Sequence, residues 1–398
     1  MLCLGKGLRR FFVSAFIIDQ KNTPSTLLDQ IYIGVSTEEI APIRFESAYI
    51  NRMSKIPSMR PKIDLVAKRA GVSTATVSRV LNKPDTVRDT LRKKVLDAVT
   101  ELGYVPHAGA RALMLQRSGT IGAVFPTIDN AIFSQAIDAL QRRLTQEDFQ
   151  LLVATSGFDP EAERKQVLNL VARGVDALVL CGFSQSTKLL RFINQQGLAC
   201  VHVMVHPGRK GSLSVGFDNA AAMRQVTRYL LDLGHRRIAM LAGVTRHNDR
   251  ALQRLEGVRE ALQSENISMP DNFLVECPYT LDKAREGMRS LMRQKSRPTA
   301  VICGNDVLAF GALLEASHLG MRVPQDVSLV GFDDLEMAKH LQPALTTVRV
   351  PTEHMWSLAA ERLLASLRNE NVQSQTEVDI ALVVRQSCGP PHTKDSSR

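Results

Sequence analysis

Thr74, Ala75, Ser78 and Arg79 fall on one side of the stretch TATVSRVLN, and Val77, Val80 and Leu81 fall on the other. At helical spacing this gives an apolar face for packing and an outer face of short side chains with a single guanidinium. Such a face can approach base edges, because no bulky group holds the backbone away. Arg79 can bond guanine O6 and N7 together, and the methyls of Thr74 and Ala75 can touch that of thymine. The hydroxyls of Thr76 and Ser78, with the amides near the helix N-terminus, suit phosphate oxygens. The chemistry these residues can perform is reading double-stranded DNA in its major groove.

Three short helices have to position that face. In IDLVAKRA, Ile63, Val66, Ala67 and Ala70 repeat at helical spacing; Gly71 and Val72 make a tight turn, and Ser73 caps the helix that carries Arg79. A third helix is expected over Thr90–Leu102, burying Leu91, Val95, Val99 and Leu102 and exposing Arg92, Lys93 and Lys94. A helix, a Gly-containing turn and a second helix with a small polar outer face form a helix-turn-helix. The competing reading is a three-helix bundle with an ordinary solvated face. Charge decides between them. The chain of 398 residues has a net charge of +10; residues 59–118 carry 12 basic and 5 acidic side chains, while residues 119–398 carry 31 and 30. Most of the excess sits on the sixty residues that hold the motif, as a polyanion-binding module requires.

The run LVAKRAGVSTATVSRVLNKPDTVRDTLRKKVLDAVTELGYVPHAGARAL resembles the headpiece of LacI/GalR-family transcriptional regulators nearly end to end. The resemblance implies that Thr74, Ala75 and Arg79 read bases. It also implies that Leu113 is the hinge-helix leucine wedged into the minor groove, adding shape readout by bending the duplex. Two positions depart from the family pattern: His107 stands where Asn is usual, and Arg88 replaces the Ser that caps the third helix.

After a linker at Gln116–Gly119 the pattern becomes strand alternating with helix. TIGAVFP, FQLLVAT, VDALVLC and ACVHVMV read as buried strands, with helices near Phe133–Glu147, Pro160–Arg173 and Ser186–Gln196. A second series runs from Asn219: a helix to Leu233, RIAMLAG, helices Leu252–Gln263 and Asp282–Arg293, TAVICG, helix Val307–Leu319 and VSLVGF. The expected architecture is an N-terminal helix-turn-helix headpiece with hinge helix (59–118), then two α/β lobes (119–398). The resemblance implies a periplasmic-binding-protein-like core with a ligand cleft, the chain crossing between lobes near Phe217, near Val350 and again toward the C-terminus.

Ligands of open α/β sheets sit beyond the carboxyl ends of the strands. Those ends carry Pro126 and Thr127, then Gly304, Asn305 and Asp306, then Asp333 and Asp334, with Arg250 at the helix start after RIAMLAG. Carboxylates, an amide and an arginine converging on one cleft suit a polyhydroxylated or carboxylated small molecule. Asn305 and Asp333 are read equally well as helix caps, and Phe133 as a core residue or as an apolar face for a sugar ring. The family position adds Tyr279 and supports Asn305 and Asp333 as effector contacts. VGFDNAAAMRQ and the body in general resemble gluconate-type regulators, which implies a sugar-acid effector; a sugar, a sugar phosphate or a nucleobase stays open.

Other classes fit less well. The six cysteines form no C-x-x-C pair and the nine histidines are dispersed, so neither a metal nor any cofactor is expected. No P-loop, G-x-S-x-G or complete dinucleotide fingerprint occurs, which disfavours an α/β enzyme. An exported sugar-binding protein would leave residues 59–118 without a purpose. No stretch reaches the ~18 apolar residues of a membrane span. Residues 1–58 show no sustained period and no signal-peptide cleavage site, and read as poorly ordered or as an upstream mis-assigned start. The expectation is a cytoplasmic homodimer, or higher oligomer, that represses transcription from a pseudo-palindromic operator and answers to a small-molecule effector.

Overall fold

The computed structural model describes residues 61–106 and 117–392. The expected extension 1–58, His107 and Leu113 lie outside them. The chain divides into two units on either side of residue 106.

In the first unit, α1 (Ile63–Ala70), α2 (Thr74–Asn82) and α3 (Asp89–Leu102) pack around Val66, Val77, Val80, Val95 and Ala98. α1 stops at Gly71, whose φ of 68° lies in the left-handed region that an L side chain resists. Ser73 Oγ accepts from the Thr76 amide at 3.2 Å and starts α2. α3 begins one residue before Thr90, after Arg88, whose side chain makes no cap.

The second unit holds two six-stranded sheets. The first lobe contains β1 (Thr120–Phe125), α4 (Ala131–Thr145), β2 (Gln150–Thr155), α5 (Pro160–Ala172), β3 (Ala177–Cys181), α6 (Thr187–Gln195), β4 (Ala199–Val203) and β5 (Leu213–Gly216). The second lobe contains α7 (Asn219–Asp232), β6 (Ile238–Gly243), α8 (Asp249–Ser264), β7 (Leu274–Cys277), α9 (Leu281–Met292), β8 (Ala300–Cys303), α10 (Asp306–His318), β9 (Ser328–Asp333) and β10 (Thr346–Arg349). Then α11 (Thr352–Leu367) returns to pack on α4, β4 and β5 of the first lobe. β11 (Gln375–Glu377) joins the first sheet and β12 (Ala381–Val383) the second.

The strand orders are β11-β5-β4-β3-β1-β2 and β12-β10-β9-β8-β6-β7. All pairings are parallel except β10 with β12. Each sheet reverses its order at one inner strand, β1 or β6, and the crevice beyond such a strand is where open α/β sheets bind ligands. The chain passes between lobes at Phe217–Asp218, Val350–Pro351 and Val378–Ile380.

The sequence pattern had not shown β5, β7, β10, β11, β12 or α11. The strands are three or four residues long, too short for a period of two to declare itself, and β11 reads Gln-Thr-Glu. α11 does carry a helical period in Met355, Trp356, Ala359, Ala360, Leu363 and Leu364, all buried, so its apolar face is legible in the sequence.

α7 and α8 pack closely at Gly257, where a Cβ would lie 2.2 Å from the Ala220 carbonyl oxygen. That obstacle is backbone and cannot rotate away. Gly257→Ala is expected to destabilise the core by about 1–3 kcal/mol, read as a lower urea midpoint with an unchanged slope; an unshifted midpoint would show that the helices slide apart at no cost.

Candidate functional site

On the first unit, Thr74, Ala75 and Arg79 are exposed on α2, opposite the buried Val77 and Val80. Arg79 makes no ion pair among the described residues, so its guanidinium is available. Thr76 and Ser78 are partly buried and already engaged. Thr76 Oγ1 lies 2.9 Å from Ser73 Oγ, and Ser78 Oγ accepts from Asn82 Nδ2 at 3.2 Å. The two hydroxyls therefore also shape the helix. Lys93 and Lys94 add exposed charge on α3.

On the second unit, one pocket collects Phe133, Arg250, Tyr279, Asn305 and Asp333. Thr127 is set apart: it lines the adjoining open mouth, and its hydroxyl accepts from the Asp129 amide at 3.0 Å. Asn305 caps α10, Oδ1 accepting from the Leu308 amide at 3.0 Å, and also lines the pocket, so its two readings coexist. Asp333 caps nothing. It ends β9 with a φ of 114°, and both carboxylate oxygens are buried without a hydrogen-bond partner among the described residues. Burial drives this carboxyl well above the ordinary carboxylate range, opposed by the nearby Arg254 cation. Phe133 also serves twice, lining the pocket while packing edge-on against Phe125 with centroids 5.8 Å apart.

The structure adds residues that sequence reasoning had missed: Asn130, Phe158, Met204, Asn248 and, above all, Arg254. Arg254 lies four residues after Arg250, hence on the same face of α8 one turn on, and this spacing could have revealed it. Its Nε donates to Asn219 Oδ1 at 2.9 Å, its Nη1 donates to the Gly304 carbonyl at 2.7 Å, and its guanidinium carbon sits 3.7 Å from the Phe332 ring centroid. The other strand-end acids turn elsewhere. Asp334 is held by Arg349 and Arg385 at 2.7 and 2.6 Å, and Asp306 accepts from Thr347 Oγ1 and the Leu335 amide at 2.6 and 2.7 Å.

Both lobes contribute to the pocket and are clasped across it. The Phe183 amide donates to Asp249 Oδ2 at 2.6 Å, and Ser184 Oγ donates to Asp249 Oδ1 at 3.0 Å. Gly182, with a φ of 68°, brings this loop so close that a Cβ would lie 1.9 Å from Arg250 Nη1. Phe158 of the first lobe faces Tyr279 of the second at 6.0 Å between centroids. Among the described residues no group of His, Cys, Asp and Glu is placed to hold a metal, and no helix is long and apolar enough to cross a membrane.

Comparison with known proteins follows the same division. A model of bacterial regulatory proteins, lacI family, matches residues 62–107, and a model of a periplasmic binding protein-like domain matches residues 227–388. The HTH-type transcriptional repressor PurR of Klebsiella pneumoniae (strain 342) is 34% identical over 325 residues, 81% of this chain and 95% of that relative. The chain belongs to the lacI family. It is a DNA-binding transcriptional repressor of that family, and its relatives are regulators, not enzymes. A LacI-family regulator from Silicibacter pomeroyi superposes with a TM-score of 0.76 at 25% identity, covering 83% of this chain and 99% of that one. The Lac repressor dimer bound to operator and an anti-inducer gives a TM-score of 0.72 at 27% identity, covering 81% and 98%.

One acid beneath the LacI-type cleft has a measurable signature. Burial pushes the Asp306 carboxyl up from its ordinary 3.8 to about 7, against the pull of its hydrogen bonds from Thr347 and Leu335. A carboxyl that keeps its proton when folded and loses it when unfolded makes stability fall as pH rises between the two values. Asp306→Asn removes this titration. Its stability relative to wild type is expected to rise as pH goes from about 4 to about 7, measured by urea denaturation across that range; a constant difference would show that Asp306 titrates normally.

Proposed function

We propose that this chain is a homodimeric, effector-controlled repressor that works in the cytoplasm and reads a pseudo-palindromic operator. Thr74, Ala75 and Arg79 contact base edges, Thr76 and Ser78 contact phosphates, and Leu113 wedges into the minor groove at the centre of the site. A dimer presents two copies of α2, so its two-fold axis matches that of the operator. Support for self-association comes from an apolar groove of about 1110 Å³ walled mainly by the second lobe, with Phe310, Leu313, Leu335 and Leu341 in its lining and Leu314 and Met337 more than half exposed. The Lac repressor it resembles is a dimer on its operator.

The effector proposed is a sugar acid. The observation that carries this reading is the joint presence, in one buried pocket, of two arginines, Arg250 and Arg254, with the unpartnered carboxyl of Asp333 and the amide of Asn305. A guanidinium suits a carboxylate or a hydroxyl oxygen, while Asp333 and Asn305 offer the acceptor and donor that hydroxyls need. Phe133 and Tyr279 supply flat apolar surface, and Thr127 stands at the entrance. Ligand and operator are coupled if the effector binds the two arrangements of the lobes unequally.

The DNA half is tested by selecting a binding site from random duplexes with the full chain. Arg79→Ala is expected to weaken the selected site by about 1–3 kcal/mol and to leave random DNA much less affected; equal losses would remove Arg79 from base readout. For the cleft, operator affinity of the wild type is expected to change when D-gluconate is added. Asp333→Ala should bind operator yet ignore gluconate, and a normal response in that variant would place the effector elsewhere.

A further inference from the structure

Beside the effector pocket lies a second, smaller chamber, walled mainly by the first lobe and closed by His247 and Arg250 of the second. Among the residues lining it are Ser156, Glu163, Cys181, Ser184 and Gln185, and it shares Phe158 and Arg250 with the effector pocket, so the two abut. Gln185 is 3% exposed. Its Nε2 donates to Glu163 Oε1 at 2.9 Å and to the Cys181 carbonyl at 3.3 Å. Both partners are acceptors, so the orientation of the amide is fixed and Oε1 must point the other way. That oxygen is buried and has no partner among the described residues. Across the chamber Arg250 is 6% exposed, and of its guanidinium nitrogens Nη1 alone is bonded among the described residues, to Asp249 Oδ1 at 3.1 Å.

The chamber therefore offers an acceptor in need of a donor, and donors in need of an acceptor. A hydroxyl satisfies both at once. A carboxylate does not, because it would meet the Glu163 carboxyl and leave Gln185 Oε1 unpaired.

We infer that this chamber is the subsite that reads the terminal hydroxyl of an open-chain sugar acid, with Gln185 Oε1 as its acceptor and Arg250 as its donor. The inference rests on the sugar-acid reading of the cleft and adds an orientation. The carboxylate end stays with Arg254 in the main pocket, and the far end of the chain enters the chamber between Gln185 of the first lobe and Arg250 of the second. A ligand held this way touches both lobes, so Gln185 selects for chain length and for an intact terminal hydroxyl.

The test is isothermal titration of the full chain with D-gluconate and with 6-deoxy-D-gluconate, which differs by that hydroxyl alone. A site built around a hydroxyl rejects the analogue lacking it, because its own buried polar groups are left unpaired. Wild type is expected to bind gluconate at least tenfold more tightly than the deoxy compound. Gln185→Leu is expected to bind the two within about threefold of each other; Gln185→Met, unbranched and of similar length, replaces it if the leucine variant fails to melt cooperatively. Equal wild-type affinities would overturn the subsite and leave the sugar-acid reading standing. A tenfold preference that survives in the Gln185 variant would also overturn it, since the hydroxyl would then be read by other groups. Binding of neither compound would overturn the sugar-acid reading and the subsite together.

Discussion

A cation enclosed by protein has to be met by dipoles fixed in place beforehand, and Arg254 is met by three elements at once. Asn219 at the start of α7, the Gly304 carbonyl at the end of β8 and the Phe332 ring on β9 surround it. Asn219 in turn donates through Nδ2 to the Met204 carbonyl, just beyond β4 of the other lobe, at 3.0 Å. A buried chain of hydrogen bonds thus runs from the first lobe through Asn219 and Arg254 to the second. Loss of any one member would strand the others in a low dielectric, where an unpaired polar group is costly. The cleft floor is therefore rigid, and the ends of β4, β8 and β9 are fixed relative to one another.

Above that floor the lobes meet through groups that can part without such loss. Asp249 binds the Phe183 amide and the Ser184 hydroxyl, and all three could turn to water when the lobes open. Phe158 and Tyr279 face each other across the mouth. A hydrogen-bonded floor, a clasp that can part and three chain crossings are the parts a hinge needs. An effector can shift such a two-state element by as much as it prefers one arrangement to the other. A ligand that bonded the unpartnered oxygens of Asp333 would relieve a desolvated carboxyl.

Much of this was legible beforehand. The helix-turn-helix was readable because local rules fix it: Ser73 is a cap, Gly71 is a left-handed stop, and Val77 and Val80 lie a turn apart. The longer buried strands β1, β3, β6 and β9 were readable because an apolar run of that length between turn residues admits few alternatives. The strand-end rule brought out Asn305, Asp333 and Arg250, but it also brought out Asp306 and Asp334, which the fold turns toward Thr347 and toward Arg349 and Arg385. A strand end points at the cleft or away from it according to φ and ψ at one or two residues, and sequence pattern does not encode that choice.

By itself, then, the sequence determined most of the helices and longer strands, the α2 face bearing Arg79 and the concentration of charge on the DNA-binding segment. Each of these depends on residues within a turn or two of one another. Only the tertiary structure decided that Arg254 is met in the pocket by Asn219 and Gly304, that Thr127 stands outside it and that Gln185 keeps an oxygen unpaired beside it. Those facts depend on groups that folding brings together from distant parts of the chain. Gln185 is fixed by Glu163 and Cys181, and Arg254 by Asn219 and Gly304. No local spacing announces such partners, because the free energy that selects them comes from burial across the sheets and not from the conformation of the nearby chain.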